Sequence, residues 1–162
     1  MNSLYAPGLK NKIVKLPSIN SLITTSDGFA KKELSSYKLD IMGLCGFGCR
    51  YCSSNAGLGI KFRKQTFESA SNDQLGRVIS PHDDPSLTYE YFDLLPNLEG
   101  QLKRKPKEWG AGHTLVFSEL TDGFSPNLVN KGITKFVLKQ VLDRTSFRVR
   151  ILTKNACVGS DE

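Results

Sequence analysis

No stretch of this 162-residue chain approaches the roughly 18 consecutive apolar residues that a membrane span requires. The opening stretch Met1–Lys12 lacks the apolar core of a secretory signal. Membrane partners are therefore not expected, and the chain reads as cytoplasmic. Histidine is scarce, with only His82 and His113. Low-complexity runs are also missing: hydrophobic residues make up 39% and charged residues 23%, a balance that excludes wholesale disorder. The length suffices for one buried core but not for two independent ones.

Charge is unevenly placed. Lys and Arg exceed Asp and Glu by 6 overall, yet residues 1–64 carry +7, residues 65–100 carry −6 and residues 101–162 carry +5. An acidic insert thus separates two basic parts. Basic character permits attraction to nucleic acid, an anionic cofactor or a protein partner without choosing among them. The cluster Lys103–Lys107 invites a nucleic-acid reading, although a short basic run also suits a solvated helix end, where it complements the negative pole of the helix.

Residues 1–36 read as an irregular N-terminal arm interrupted by Pro7 and Pro17, with a short strand around Ile13–Leu16. The core domain is expected over residues 37–162. Lys38–Met42 predicts its first strand, ending at Gly43. Residues 65–85 show little periodicity and read as a surface insertion. The spacing of Leu87, Tyr91, Leu94 and Leu95 predicts a helix over Ser86–Leu95, with Ser86 as N-cap. A second helical piece is expected over Asn97–Lys105. Thr114–Ser118 is a β-branched and aromatic run that predicts a strand. Ser125-Pro126 then opens a helix whose apolar face holds Ile133, Phe136, Val137 and Val141, and Phe147–Leu152 predicts a final strand. This alternation is that of a parallel α/β sheet.

Three of the four cysteines fall together as Cys45, Cys49 and Cys52, in the order C-x3-C-x2-C. An odd cluster in a chain without an export signal does not read as disulfide staples. A zinc site would want a fourth ligand, for which His82, His113 and Cys157 are all distant in sequence. Spacing therefore favours an iron–sulfur cluster with one iron free of cysteine, while zinc and purely structural cysteines stay open. Gly46 and Gly48 suit a loop that turns tightly around a bound group.

With its aromatic Tyr51 just before the third cysteine, this motif resembles the C-x3-C-x-aromatic-C signature of the radical SAM enzymes. The sequences Ser118–Asp122 and Leu152–Lys154 resemble strand ends of the spore photolyase-like branch. The resemblance covers roughly Tyr37–Asn155. It implies a partial (β/α) barrel of parallel strands, incomplete at its C-terminus and equivalent to the N-terminal half of a full barrel. It further implies a 4Fe–4S cluster on Cys45, Cys49 and Cys52, and S-adenosyl-L-methionine held by Tyr51, Glu119, Thr121 and Lys154. The implied chemistry is reductive cleavage of that cofactor to a 5′-deoxyadenosyl radical acting on an unidentified substrate.

Glu119 stands where the photolyases carry a hydrogen-donating cysteine, so the resemblance does not extend to thymine-dimer repair. Asp122 is expected to organise the turn before Gly123. An external electron donor is implied as a partner, and the missing half barrel implies self-association or a second subunit completing it. The alternative readings are a non-catalytic iron–sulfur or nucleic-acid-associated partner protein and a zinc-stabilised structural domain.

Overall fold

The computed structural model describes residues 13–49, 52, 58–79, 84 and 87–155. In chain order the elements are β1 (Ile13–Leu16), β2 (Ile23–Thr25), α1 (Asp27–Ala30), β3 (Tyr37–Leu39), β4 (Met42–Cys45) and α2 (Leu58–Leu75). These are followed by β5 (Thr88–Tyr91), α3 (Leu94–Lys103), β6 (Thr114–Phe117), α4 (Pro126–Asn130), α5 (Ile133–Arg144) and β7 (Arg148–Ile151). Two mixed sheets result. One has the strand order β1-β5-β4, the other β2-β3-β6-β7.

The strand expected over Lys38–Met42 is two strands. Tyr37–Leu39 lies parallel to β6, and after Asp40 and Ile41 the chain enters the other sheet, where Met42–Cys45 runs antiparallel to β5 with a register shift between Met42 and Leu44. Strand β2 is likewise antiparallel to β3. Among the described residues, parallel pairing is confined to β1 with β5, β3 with β6, and β6 with β7. The expectation of a partial parallel barrel is therefore corrected: neither sheet closes, because the first core strand is divided between them and its second half runs against its neighbour. The fold is a small mixed α/β arrangement.

Strand β6 is the centre of the four-stranded sheet, and its Leu115, Val116 and Phe117 are fully buried. This explains why its sequence is a continuous apolar run rather than an alternation. Around it pack Leu39, Ile41 and Met42, Leu94, Leu98 and Leu102 from α3, and Val137 and Val141 from α5. Gln101 is buried in this core without penalty, because its side chain accepts from the Ile23 amide (2.9 Å) and donates to the Ile23 carbonyl (2.7 Å), meeting the backbone of β2 as another strand would. A second cluster joins Val14, Leu16, Leu44, Leu87 and Tyr89 to Phe67 of α2. Tyr91 packs against both clusters.

Several local expectations change. Residues Thr88–Tyr91 form a strand instead of a helix, with Leu87, Thr88, Tyr89 and Glu90 all buried. Glu90 tolerates burial because Lys15 Nζ (2.6 Å) and Lys131 Nζ (2.8 Å to each oxygen) donate to it. Burial pushes its carboxyl upward, but the two lysines outweigh that and hold it below the usual carboxylate range. Pro96 does not stop a helix; it lies in the first turn of α3, where no intrahelical N–H is needed. Residues 65–75, read as part of an insertion, continue α2. Phe136 is 48% exposed and so is not on the core face of α5.

Candidate functional site

A pocket of about 390 Å³ opens where β3, β6 and β7 end. It is lined by the cysteine loop (Cys45, Phe47, Cys49, Cys52), by the segment after β6 (Ser118–Asp122) and by Leu152, Thr153 and Lys154 after β7. Ligands bind at such carboxyl edges because the loops there converge while the strands below hold them fixed. Of the residues implied by the resemblance, Cys45, Cys49, Cys52, Glu119, Thr121 and Lys154 all line this one pocket. Tyr51 lies outside the described residues, as does Cys157.

The turn of the cysteine loop rests on Gly46 (φ 67°) and Gly48 (φ 63°), both in the left-handed region that glycine enters at little cost. Cys45 ends β4 and is fixed by that strand's register, opposite Thr88. Burial pushes its thiol upward, opposed in part by the amides of Phe47 and Asp122. Cys52 N–H donates to the Cys49 carbonyl at 3.1 Å. All three thiols are free and half-buried.

Sharing a pocket is not convergence on a point. Among the described residues, no group of three or more His, Cys, Asp or Glu side chains is placed to hold a metal ion. The expectations of a 4Fe–4S cluster on Cys45, Cys49 and Cys52 and of a zinc site are thereby corrected. With the cluster go the iron on which S-adenosyl-L-methionine was to be chelated, its reductive cleavage, and the radical SAM enzyme and iron–sulfur partner readings. The physical difference lies in how the thiols are anchored, Cys45 by a sheet ladder and Cys49 and Cys52 by a local backbone bond in the loop.

Asp122 organises the pocket floor. Its carboxylate accepts from the Phe124 amide (2.9 Å), the Thr153 hydroxyl (2.9 and 3.1 Å) and the Lys154 amide (2.7 Å), tying the segment after β6 to the one after β7. Glu119 faces structural partners as well, accepting from Ser26 Oγ at 2.8 Å and pairing with Lys38 Nζ at 3.4 Å. Asp40 accepts from the Leu120 amide at 2.9 Å. Burial dominates its environment and raises its carboxyl above the usual range.

Two pocket groups stand apart. The hydroxyls of Ser118 and Thr121 are buried and have no hydrogen-bond partner among the described residues. A buried, unpartnered hydroxyl costs about 1–3 kcal/mol, and both are shut off from solvent, beneath the pocket lining and not on its surface. Ser118 also holds a left-handed conformation, φ 67°, uncommon for a residue with a Cβ. Sequence reasoning found Thr121 but missed Ser118, whose only signal is its place directly after a buried strand. The apolar side is supplied by Phe47, Leu120 and Leu152.

The basic run Lys103–Lys107 begins at the last residue of α3 and continues past its C-cap, Arg104. Lys103 pairs with Glu99 at 2.9 Å, and the Lys105 ammonium stands 5.1 Å from the Trp109 ring centre, which are contacts of a solvated helix terminus. No helix among the described residues is long and apolar enough to cross a membrane. Compared with protein-family models, curated proteins and solved structures, the chain matches none.

Proposed function

We propose that this chain binds a small organic molecule in the pocket at the carboxyl edge of β3, β6 and β7. The observation that carries this reading is the meeting of three chain segments, the cysteine loop, Ser118–Asp122 and Leu152–Lys154, around one pocket. Glu119 and Lys154 in its lining bring opposite charges, so the head group that suits them carries a carboxylate, an amine or both. Phe47, Leu120 and Leu152 suit an apolar body, and the volume of about 390 Å³ belongs at the small end of ligand sites. Glu119, Thr121 and Lys154 are the proposed binding residues. Three free thiols suit a reducing compartment, and the reading places the protein in the cytoplasm.

The test is amide-resolved NMR of the full chain against three probe sets: free amino acids, 2-hydroxy acids and nucleosides. At least one probe is expected to shift the amides of Ser118–Asp122 and Thr153–Lys154 together, with the shift lost in Lys154→Ala. Silence from all three sets would refute the reading. So would stoichiometric iron and acid-labile sulfide in anaerobically purified protein, since a cluster on the thiols would occupy the same space.

A second reading concerns a second subunit on the edge of β7, favoured by the exposure of Ile151 and Leu152 at the end of that strand, the outermost of its sheet among the described residues. Sedimentation across a concentration series checks it: association is expected, and a monomer throughout would overturn it.

A further inference from the structure

Beyond ligand binding, we propose that Cys49 and Cys52 form a dithiol site that exchanges with low-molecular-weight disulfides and closes to an intramolecular disulfide. The two are separated as C-x2-C, and the Cys52 amide donates to the Cys49 carbonyl at 3.1 Å. A backbone bond of that separation keeps the two α-carbons within about 7 Å, next to the 4.4–6.8 Å range in which a disulfide closes without moving the chain. Both thiols are free, half-buried and on the wall of a pocket open to solvent, so a small disulfide reaches them.

Cys45 is the spectator. It is bound into the β4–β5 ladder and its sulfur receives the amides of Phe47 and Asp122, whereas Cys49 follows Gly48, a residue free to pivot. A pair on a loop and a single thiol on a strand make one bridge the short path and leave the other thiol aside.

The exchange balances without a metal. One thiolate of the pair attacks a sulfur of the disulfide RSSR, forming a protein–S–S–R bond and expelling RS⁻. The second thiolate attacks the protein sulfur of that bond, closing the Cys49–Cys52 disulfide and expelling the second RS⁻. The protein loses two electrons and two protons, and RSSR is reduced to two RSH.

The experiment equilibrates the full reduced chain anaerobically with oxidised glutathione and then quenches with acid. Free thiols are expected to fall from 4 to about half that number, with a mass loss of roughly 2 Da and a proteolytic peptide joining Cys49 to Cys52. In Cys52→Ser the reaction is expected to stop at a glutathione adduct on Cys49, whereas Cys157→Ser closes the bridge as before. Peptide mapping of the unaltered chain decides the matter even if a variant folds poorly. An unchanged thiol count, a persistent adduct on the unaltered chain, or a bridge to Cys45 or Cys157 would each overturn the proposal. None of these readouts involves the pocket's ligand, so failure here and failure of the ligand reading are told apart.

Discussion

Ser118→Gly is expected to make this protein more stable. The residue is 3% exposed, its φ is 67°, and its hydroxyl has no partner among the described residues. Its amide donates to the Leu39 carbonyl at 2.8 Å, a bond that glycine keeps. Removing the Cβ relieves the left-handed conformation, worth about 1–2 kcal/mol, and removing the hydroxyl relieves a desolvation penalty of about 1–3 kcal/mol. Glycine's greater freedom in the unfolded chain takes back about 0.5–1 kcal/mol. The balance is a gain of about 2 kcal/mol, which for a chain of this size raises Tm by roughly 4–8 °C. Ser118→Ala separates the contributions, since it deletes the hydroxyl and keeps the strained φ; its gain is expected to be smaller. Urea unfolding of the three proteins under identical conditions reads the order Gly above Ala above Ser. Loss of stability in both variants would refute the reasoning, because it would mean that the hydroxyl is already satisfied.

Glu90→Gln is expected to cost about 1–2 kcal/mol at neutral pH, less than a fully buried pair because Lys15 and Lys131 remain nearly half exposed. The folded Glu90 carboxyl lies below its ordinary value of 4.5, so its stabilisation is complete above that pH and fades as pH falls through the lowered folded value; the gap between the two proteins in urea should close in acid. Asp40 has the opposite sign: its folded pKa is raised above 3.8, so Asp40→Asn, which still accepts from the Leu120 amide, should gain stability relative to the parent as pH rises past that range. Gly123→Ala should destabilise by about 1–3 kcal/mol in thermal unfolding, since a Cβ there falls 2.5 Å from both the Phe117 ring and Ser118 Oγ.

Where neighbouring residues decide the structure, the sequence was readable. The apolar run of β6, the alternation of β7, the short strand at Ile13–Leu16 and the helix start at Ser125-Pro126 all stand near their expected places. Even there the detail escaped, because the Ser125 hydroxyl donates to Met42 Sδ at 3.6 Å instead of capping its helix. Residues Thr88–Tyr91 misled because Leu87, Tyr91, Leu94 and Leu95 mimic helical spacing. What settles the strand is pairing with β1 and β4, and lysines 75 and 41 positions away that neutralise Glu90. Helix α2 was hidden because few of its residues with described side chains are buried, chiefly Phe67 and Ser71. Ser71 Oγ accepts from the Ile79 amide at 2.9 Å. The segments after the parallel strands β6 and β7 meet at one edge as such strands dictate, whereas the cysteine loop reaches that edge from the antiparallel β4, which spacing did not indicate. Whether three thiols converge there, and whether a serine's hydroxyl finds a partner, depend on backbone directions that spacing does not encode.

Residues 37–45 serve as β3 in one sheet and β4 in the other, and this gives the molecule a mechanical continuity between its two hydrogen-bonded ladders. Detaching β4 from β5 releases the anchor of the cysteine loop, and because Ile41 and Met42 are fully buried in the larger core, the disturbance travels into β3 and β6 within three or four residues. The amides of β3 and β4 are therefore expected to exchange with solvent in one cooperative opening, at a common free energy, although they belong to different sheets. The pocket is lined by Cys45 at the end of β4 and by the segment after β6, so a molecule binding there is expected to slow that opening.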